Sequence, residues 1–183
     1  LGATGSWLLP QLVRIDRTLL LLGHPDGLAV DAWDGDTVSE ANVGRGSFLP
    51  QHVGRNKATC LVHQTNQAWG TAWRAVPSHL CPEQAPRELA RTDILISCTD
   101  SAAWRVGIGK LFRGRPLNVL WLDCGNSERT GQVVLGHLGK PTGREAKLPN
   151  IYDLYHEELQ HALREDTGPS CSLAEAIARQ DLT

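Results

Sequence analysis

The sequence predicts an α/β fold: a mostly parallel sheet flanked by helices, with a short helical extension at the C-terminal end. Three observations carry this. A glycine-bearing turn, Leu1-Gly2-Ala3-Thr4-Gly5-Ser6, opens into an apolar stripe at helical spacing. Two short apolar runs bounded by polar residues, 93–98 and 117–123, read as buried parallel strands. Strands and helices alternate along the chain, which implies right-handed crossovers.

Each element has its own signal. Leu8, Leu12, Ile15, Leu19 and Leu22 step by four, three, four and three, so one helix face is apolar. Pro10 is placed in an early turn of that helix, where proline is better tolerated than in the interior. Gly23-His24-Pro25-Asp26-Gly27 ends it. Residues 28–33 read as a strand closing on Asp34-Gly35-Asp36, and the polar stretch to Val53 reads as irregular. A second helix covers 55–68, with Ala58, Leu61, Val62 and Thr65 on one face. Residues 70–76 form a candidate strand, 77–86 a loop and 87–90 a short helix. After the 93–98 strand a helix opens at Thr99-Asp100-Ser101 and runs to Phe112. A strand at 117–123 and another at 132–136 follow. The segment 140–149 reads as a connector. Ile151, Leu154, Tyr155, Leu159, Ala162 and Leu163 mark an amphipathic helix, and a last short helix starts near Ser172. The expected domains are therefore 1–139, an α/β domain lacking its first strand, and 140–183, a connector with a helical segment.

Composition narrows the function classes. Eighteen Lys+Arg against twenty Asp+Glu give no basic excess for a nucleic-acid partner. Apolar residues make up 41%, enough for a folded core. No apolar run approaches the roughly 18 residues that span a bilayer, and no signal peptide is visible. Five cysteines, Cys60, Cys81, Cys98, Cys124 and Cys171, are odd in number, widely spaced and without a CxxC pair. That argues against a disulfide framework or structural zinc and for a reducing cytoplasm. The seven histidines show no pairing; His156 and His161 are read as solvated.

The candidate chemistry begins with the glycines. Gly2 and Gly5 match the second and third glycines of a G-x-G-x-x-G loop, with the first expected one position before Leu1. Such a loop lets backbone approach a phosphate at a helix N-terminus. The chain is therefore expected to start inside a motif, as a trimmed domain does. Asp34 closes the second strand of a Rossmann-like sheet, where an acid meets ribose hydroxyls. Gly5 and Asp34 lie 29 positions apart, against roughly 20 in the usual fingerprint. Plain turn formation is the competing reading of Asp34 and Asp36.

The most specific segment is Asp34-Gly35-Asp36-Thr37-Val38-Ser39-Glu40-Ala41-Asn42-Val43-Gly44-Arg45, then Val53-Gly54-Arg55-Asn56-Lys57-Ala58. With Cys98-Thr99-Asp100 and Arg105, it resembles the ThiF/MoeB/E1 superfamily of ubiquitin-like-protein activating enzymes. That pattern reads D-x-D-x-V-x-x-S-N-L-x-R-Q, V-G-x-x-K-A and C-T-D-N, and the resemblance covers about 1–123. Residues 38–45, Asp123-Cys124-Gly125-Asn126-Ser127, Gly131-Gln132-Val133-Val134-Leu135-Gly136 and Pro169-Ser170-Cys171-Ser172-Leu173-Ala174-Glu175-Ala176 look closest to ThiF-family members of bacterial PRTRC systems.

The resemblance implies ATP-dependent adenylation of the C-terminal carboxylate of a ubiquitin-like or sulfur-carrier-like protein. It implies that Arg45 and Lys57 hold the phosphates, Asn42 orients them, Asp34 holds the ribose and Asp100 binds Mg²⁺. It also implies a homodimer and a conjugating-enzyme-like partner. Helix capping is the competing role of Asp100, and simple surface charge that of Arg45 and Lys57. Two positions depart from the pattern: Gly46 stands for its Gln, and Ser101 for its Asn. Pro169-Ser170-Cys171-Ser172-Leu173 resembles the stretch around an E1 thioester cysteine. Ser172 and Glu175 form a capping box just after Cys171, and a thiol before a helix start has a lowered pKa. An acyl transfer to Cys171 as a thioester then follows adenylation; an ordinary loop cysteine is the alternative. Cys124 is a lesser candidate, and Cys98 and Cys60 read as packing. A dinucleotide-binding oxidoreductase and a catalytically eroded E1-like scaffold are the competing functions.

Overall fold

In a computed structural model, which describes residues 1–126, 131–144 and 146–165, the glycine turn runs straight into helix α1, Ala3–Leu21. Gly2 is its N-cap, so Gly5 lies inside the first turn rather than in a loop. Pro10 is interior too, and the helix continues through it at the cost of one backbone hydrogen bond. The buried face is Gly5, Ser6, Leu9, Val13 and Asp16, not the leucine stripe; Ile15 and Leu22 are exposed. The polar members are buried because they are satisfied. Ser6 Oγ donates to the Ala3 carbonyl and accepts from the Ser47 N–H, and Asp16 accepts from the Leu28 N–H at 2.7 Å.

The chain divides into two units, Leu1–Leu80 and a second from Cys81 on. In the first, β1 (Asp31–Trp33) and β2 (Arg74–Val76) pair in parallel, Asp31 opposite Arg74. Helix α3, Lys57–Trp69, connects them and ends on Gly70 in the left-handed conformation. Its buried face carries Ala58, Leu61, Val62 and Thr65 as expected, with Cys60 beside them. The core joins Leu9, Val13, Ala32, Val38, Phe48, Leu61, Val62 and Trp73. The stretch expected to be irregular holds a short helix α2, Glu40–Arg45, and a 3-10 turn, Pro50–His52.

In the second unit, helix α4 (Ala85–Leu89) precedes β3 (Ile94–Ser97). Strand β3 pairs in parallel with β4 (Leu120–Asn126), Ser97 opposite Asp123, and helix α5 (Ala102–Phe112) joins them. Strand β4 then pairs antiparallel with β5, Gly131–His137. Trp121, Ile108, Leu138 and Val119 are fully buried. The amphipathic helix expected from Ile151 onward is broken at Tyr155 into α6 (Ile151–Leu154) and α7 (His156–Glu165). Asn150 caps α6 and also donates to the His137 carbonyl, so one buried amide fixes α6 to β5. The helix expected near Ser172 lies outside the described residues. Among the described residues no helix is long and apolar enough to cross a membrane.

Candidate functional site

In the first unit, four segments meet through hydrogen bonds. The turn after β1 is the centre. Asp34 is buried; its carboxylate accepts from the Leu1 nitrogen and, at 2.8 Å, from the Asp36 N–H. Asn56 grips the same turn from across the loop, its Nδ2 donating to the carbonyls of Asp34 (2.7 Å) and Asp36 (3.1 Å). Its Oδ1 accepts from Thr59 N and so caps α3. One side chain therefore sets both the start of α3 and the shape of the acidic turn. Lys57, the first residue of α3, places Nζ 3.0 Å from the Asp36 carboxylate. Partial burial raises the Asp36 pKa, but the hydrogen bond and charge of Lys57, with His79, outweigh it and hold the carboxyl below its usual range.

Beside this turn stands α2. Ser39 is its N-cap; Asn42 Oδ1 accepts from both the Ser39 N–H and hydroxyl, closing a capping box. Arg45 ends α2, and its carbonyl accepts from Trp7 Nε1 on α1 at 3.0 Å. Thus Gly2, Asp34 and Arg45 lie around the first turn of α1, with Lys57 next to Asp36. Gly46 has a packing reason: a Cβ there would stand 2.8 Å from Ser6 Oγ and 3.0 Å from the Phe48 ring. The glutamine of the pattern does not fit this turn without displacement. Gly54 has a backbone reason, a φ of +81° in the turn where its N–H reaches the Val38 carbonyl.

Sequence reasoning missed two residues here. Asn56 was readable, since an Asn directly before an apolar-periodic run is an N-cap signal. His79 was not, because it comes from the loop after β2. It lies over Gly35, and Asp34, Asp36 and His79 each offer a ligand atom within 4.8 Å of the others. Lys57 already balances Asp36, so a side-chain cation serves this group of acids. Two other histidines are buried rather than solvated. His52 Nδ1 accepts from Leu49 N, and His137 Nδ1 accepts from Leu148 N. Burial, and then the Arg55 charge, lower the His52 pKa.

In the second unit, Asp100 follows β3 and is exposed. It does not cap α5: Ser101 is the N-cap, its Oγ accepting from Trp104 N at 3.1 Å. The Ser that replaces the pattern's Asn thus keeps a favoured capping type. Among the described residues the Asp100 carboxylate makes no hydrogen bond or ion pair. Behind it, Arg105 Nε donates to both Asp123 oxygens at 2.9 and 3.1 Å, all buried. Trp121 Nε1 donates to Ser97 Oγ, which donates to Asp123. Arg105 therefore supports the strand ends from within. Burial, and then the neighbouring Cys124, push the Cys98 thiol up to about 12; burial raises Cys124 as well. Neither thiol is held as a thiolate, the form a nucleophilic cysteine needs. Cys171 lies outside the described residues.

No protein-family profile matches this chain. No curated protein matches it either. Solved structures do. One is E. coli MccB with AMPCPP and selenomethionine MccA, at a TM-score of 0.50 and 13% identity, over 90% of this chain and 48% of that one. Another is E. coli MccB with MccA-N7isoASN, at 0.48 and 13%, over 90% and 49%. The chain spans about half the length of these proteins. At this identity the likeness is one of fold, and it agrees with the Rossmann-like α/β architecture read from the sequence.

Proposed function

We propose that this chain is the nucleotide-binding part of an E1-like adenylating enzyme that acts, with ATP and Mg²⁺, on the C-terminal carboxylate of a ubiquitin-like or sulfur-carrier-like protein. The observation that carries the reading is the clamp of Asn56 and Lys57 on the Asp34–Asp36 turn, with Arg45 joined to α1 beside it. A cation at the start of a helix, next to an acid at a strand end, suits a nucleotide with its ribose on the acid and its phosphates on the basic groups. The MccB structure of similar fold was solved with AMPCPP, an ATP analogue, which accords with this.

The chemistry needs charge control. Attack of a carboxylate on the α-phosphate expels pyrophosphate, and positioned cations stabilise the charge that gathers on the leaving group. Arg45 and Lys57 fill that role, Lys57 by leaving Asp36 for the phosphates. Asn42 orients the nucleotide from α2, although the free chain uses its Oδ1 in the capping box. Asp100 suits Mg²⁺: it is a hard oxygen donor, exposed, and relieved of capping by Ser101. Magnesium would supply charge neutralisation at the phosphates. Domain 1–139 carries this step. A thioester on Cys171, homodimerisation and a conjugating-enzyme-like partner extend the same reading.

Thermal shift tests it. MgATP should raise Tm by linkage, and Lys57→Ala and Asp100→Ala should lose the shift while Asp100→Ala keeps the unliganded Tm. A shift with NAD(H) but not MgATP overturns the reading in favour of an oxidoreductase. No shift with either leaves a scaffold that does not bind nucleotide.

A further inference from the structure

Strands β3 and β4 set two thiols side by side. Their parallel register ends on Ser97 opposite Asp123; Cys98 comes directly after β3 and Cys124 is the next residue of β4, so the two cysteines follow the last paired position. Ser97 and Asp123 are hydrogen-bonded through their side chains. Adjacent strands run about 4.7–4.9 Å apart, inside the Cα separation of about 4.4–6.8 Å that a disulfide spans. Each thiol is among the groups that shift the other's pKa, so the two side chains are neighbours. Both residues are partly exposed.

We propose that Cys98 and Cys124 form an oxidisable dithiol, closed to a disulfide by a small-molecule disulfide such as glutathione disulfide. One cysteine gives up its proton, slowly because burial favours the neutral thiol, and the resulting thiolate attacks a sulfur of the oxidant; the oxidant's S–S bond breaks, and the first glutathione leaves and takes up that proton. The second cysteine sulfur then attacks the mixed disulfide and expels the second glutathione, which takes the remaining proton. Two cysteines lose two electrons and two protons; one glutathione disulfide gains them and becomes two thiols. The new bond ties the residue that follows β3 to β4, immediately ahead of Thr99 and Asp100. This inference stands apart from the adenylation reading, since it needs neither nucleotide nor substrate.

Peptide mapping tests it. Trypsin leaves Cys98 in peptide 92–105 and Cys124 in peptide 114–129, because the Arg115–Pro116 bond resists cleavage. The whole chain is incubated overnight with glutathione disulfide, quenched with N-ethylmaleimide and digested without reductant. The expected product is 92–105 linked to 114–129, released by reduction, with the count of free thiols falling from five to three. Cys98→Ser and Cys124→Ser should abolish the linked species, and Cys81→Ser, which removes an exposed thiol, should leave its yield unchanged. Recovery of both peptides alkylated while the Cys81 peptide carries glutathione overturns the proposal. So does a link from 92–105 to any other cysteine peptide. The wild-type digest is decisive even if a serine variant fails to fold.

Discussion

Strands β1 and β3 each run out into a turn that carries an acid ahead of a helix, yet the two turns are built in opposite ways. After β1, Asp34 is buried and bonded, and the group that shapes the turn is Asn56, about twenty residues on. After β3, Asp100 is exposed and, among the described residues, its carboxylate makes no hydrogen bond, while its neighbour Ser101 caps the helix. The first turn is fixed by a long-range clasp, the second by a local cap standing on a buried ion pair, Arg105 with Asp123. A free carboxylate at the second turn is possible because the rigidity there is supplied underneath it.

Removing that support should have the largest effect. Asp123→Ala leaves the buried Arg105 guanidinium without its partner, and breaking such a pair costs about 3–5 kcal/mol. Urea denaturation checks this; a loss below about 1 kcal/mol would mean that the turn does not rest on the pair. The contrast between clasp and cap gives the next effect. Asn56→Ala removes a cap and three further hydrogen bonds, so it should cost about 2–3 kcal/mol. Ser101→Ala removes a cap alone and should cost about 1 kcal/mol. Equal losses by the same measurement would erase the distinction. The smallest effect is a pH dependence in the first unit. His52 has a folded pKa below its unfolded value of about 6.5. The unfolded chain therefore binds the extra proton first, and stability is full above about pH 6.5 and falls as pH drops below it. His52→Gln should flatten that part of the stability–pH curve.

Much of this was legible in the sequence. Helix α3 showed its buried face because apolar residues lie on it, and β3 appeared as an apolar run closed by polar residues. The buried face of α1 was hidden for a physical reason: Ser6 and Asp16 bury their polar atoms against Ser47 and Leu28, and periodicity is blind to satisfaction at a distance. Helix α2 was missed because it is six residues long and its capping box uses Asn42 where the usual signal is Glu or Gln. Asp34, Asp36, Arg45 and Lys57 stood out by pattern. The partnership of Asn56 with the acidic turn did not, since it depends on how the loop folds back. Gly46 departed from the pattern in sequence, and only the nearness of Ser6 and Phe48 shows what that glycine accommodates.

The chain also carries its own light source at the second turn. Trp104, on the first turn of α5, meets Trp121 edge-on, with ring centroids 6.2 Å apart. The Trp121 indole donates to Ser97, the residue before Cys98. Two indoles so close exchange excitation and shape the near-ultraviolet dichroism together, and a buried indole emits to the blue of an exposed one. Any event that moves the end of β3, whether a metal at Asp100 or a bond at Cys98, therefore falls within optical reach of an intrinsic chromophore pair, without a label.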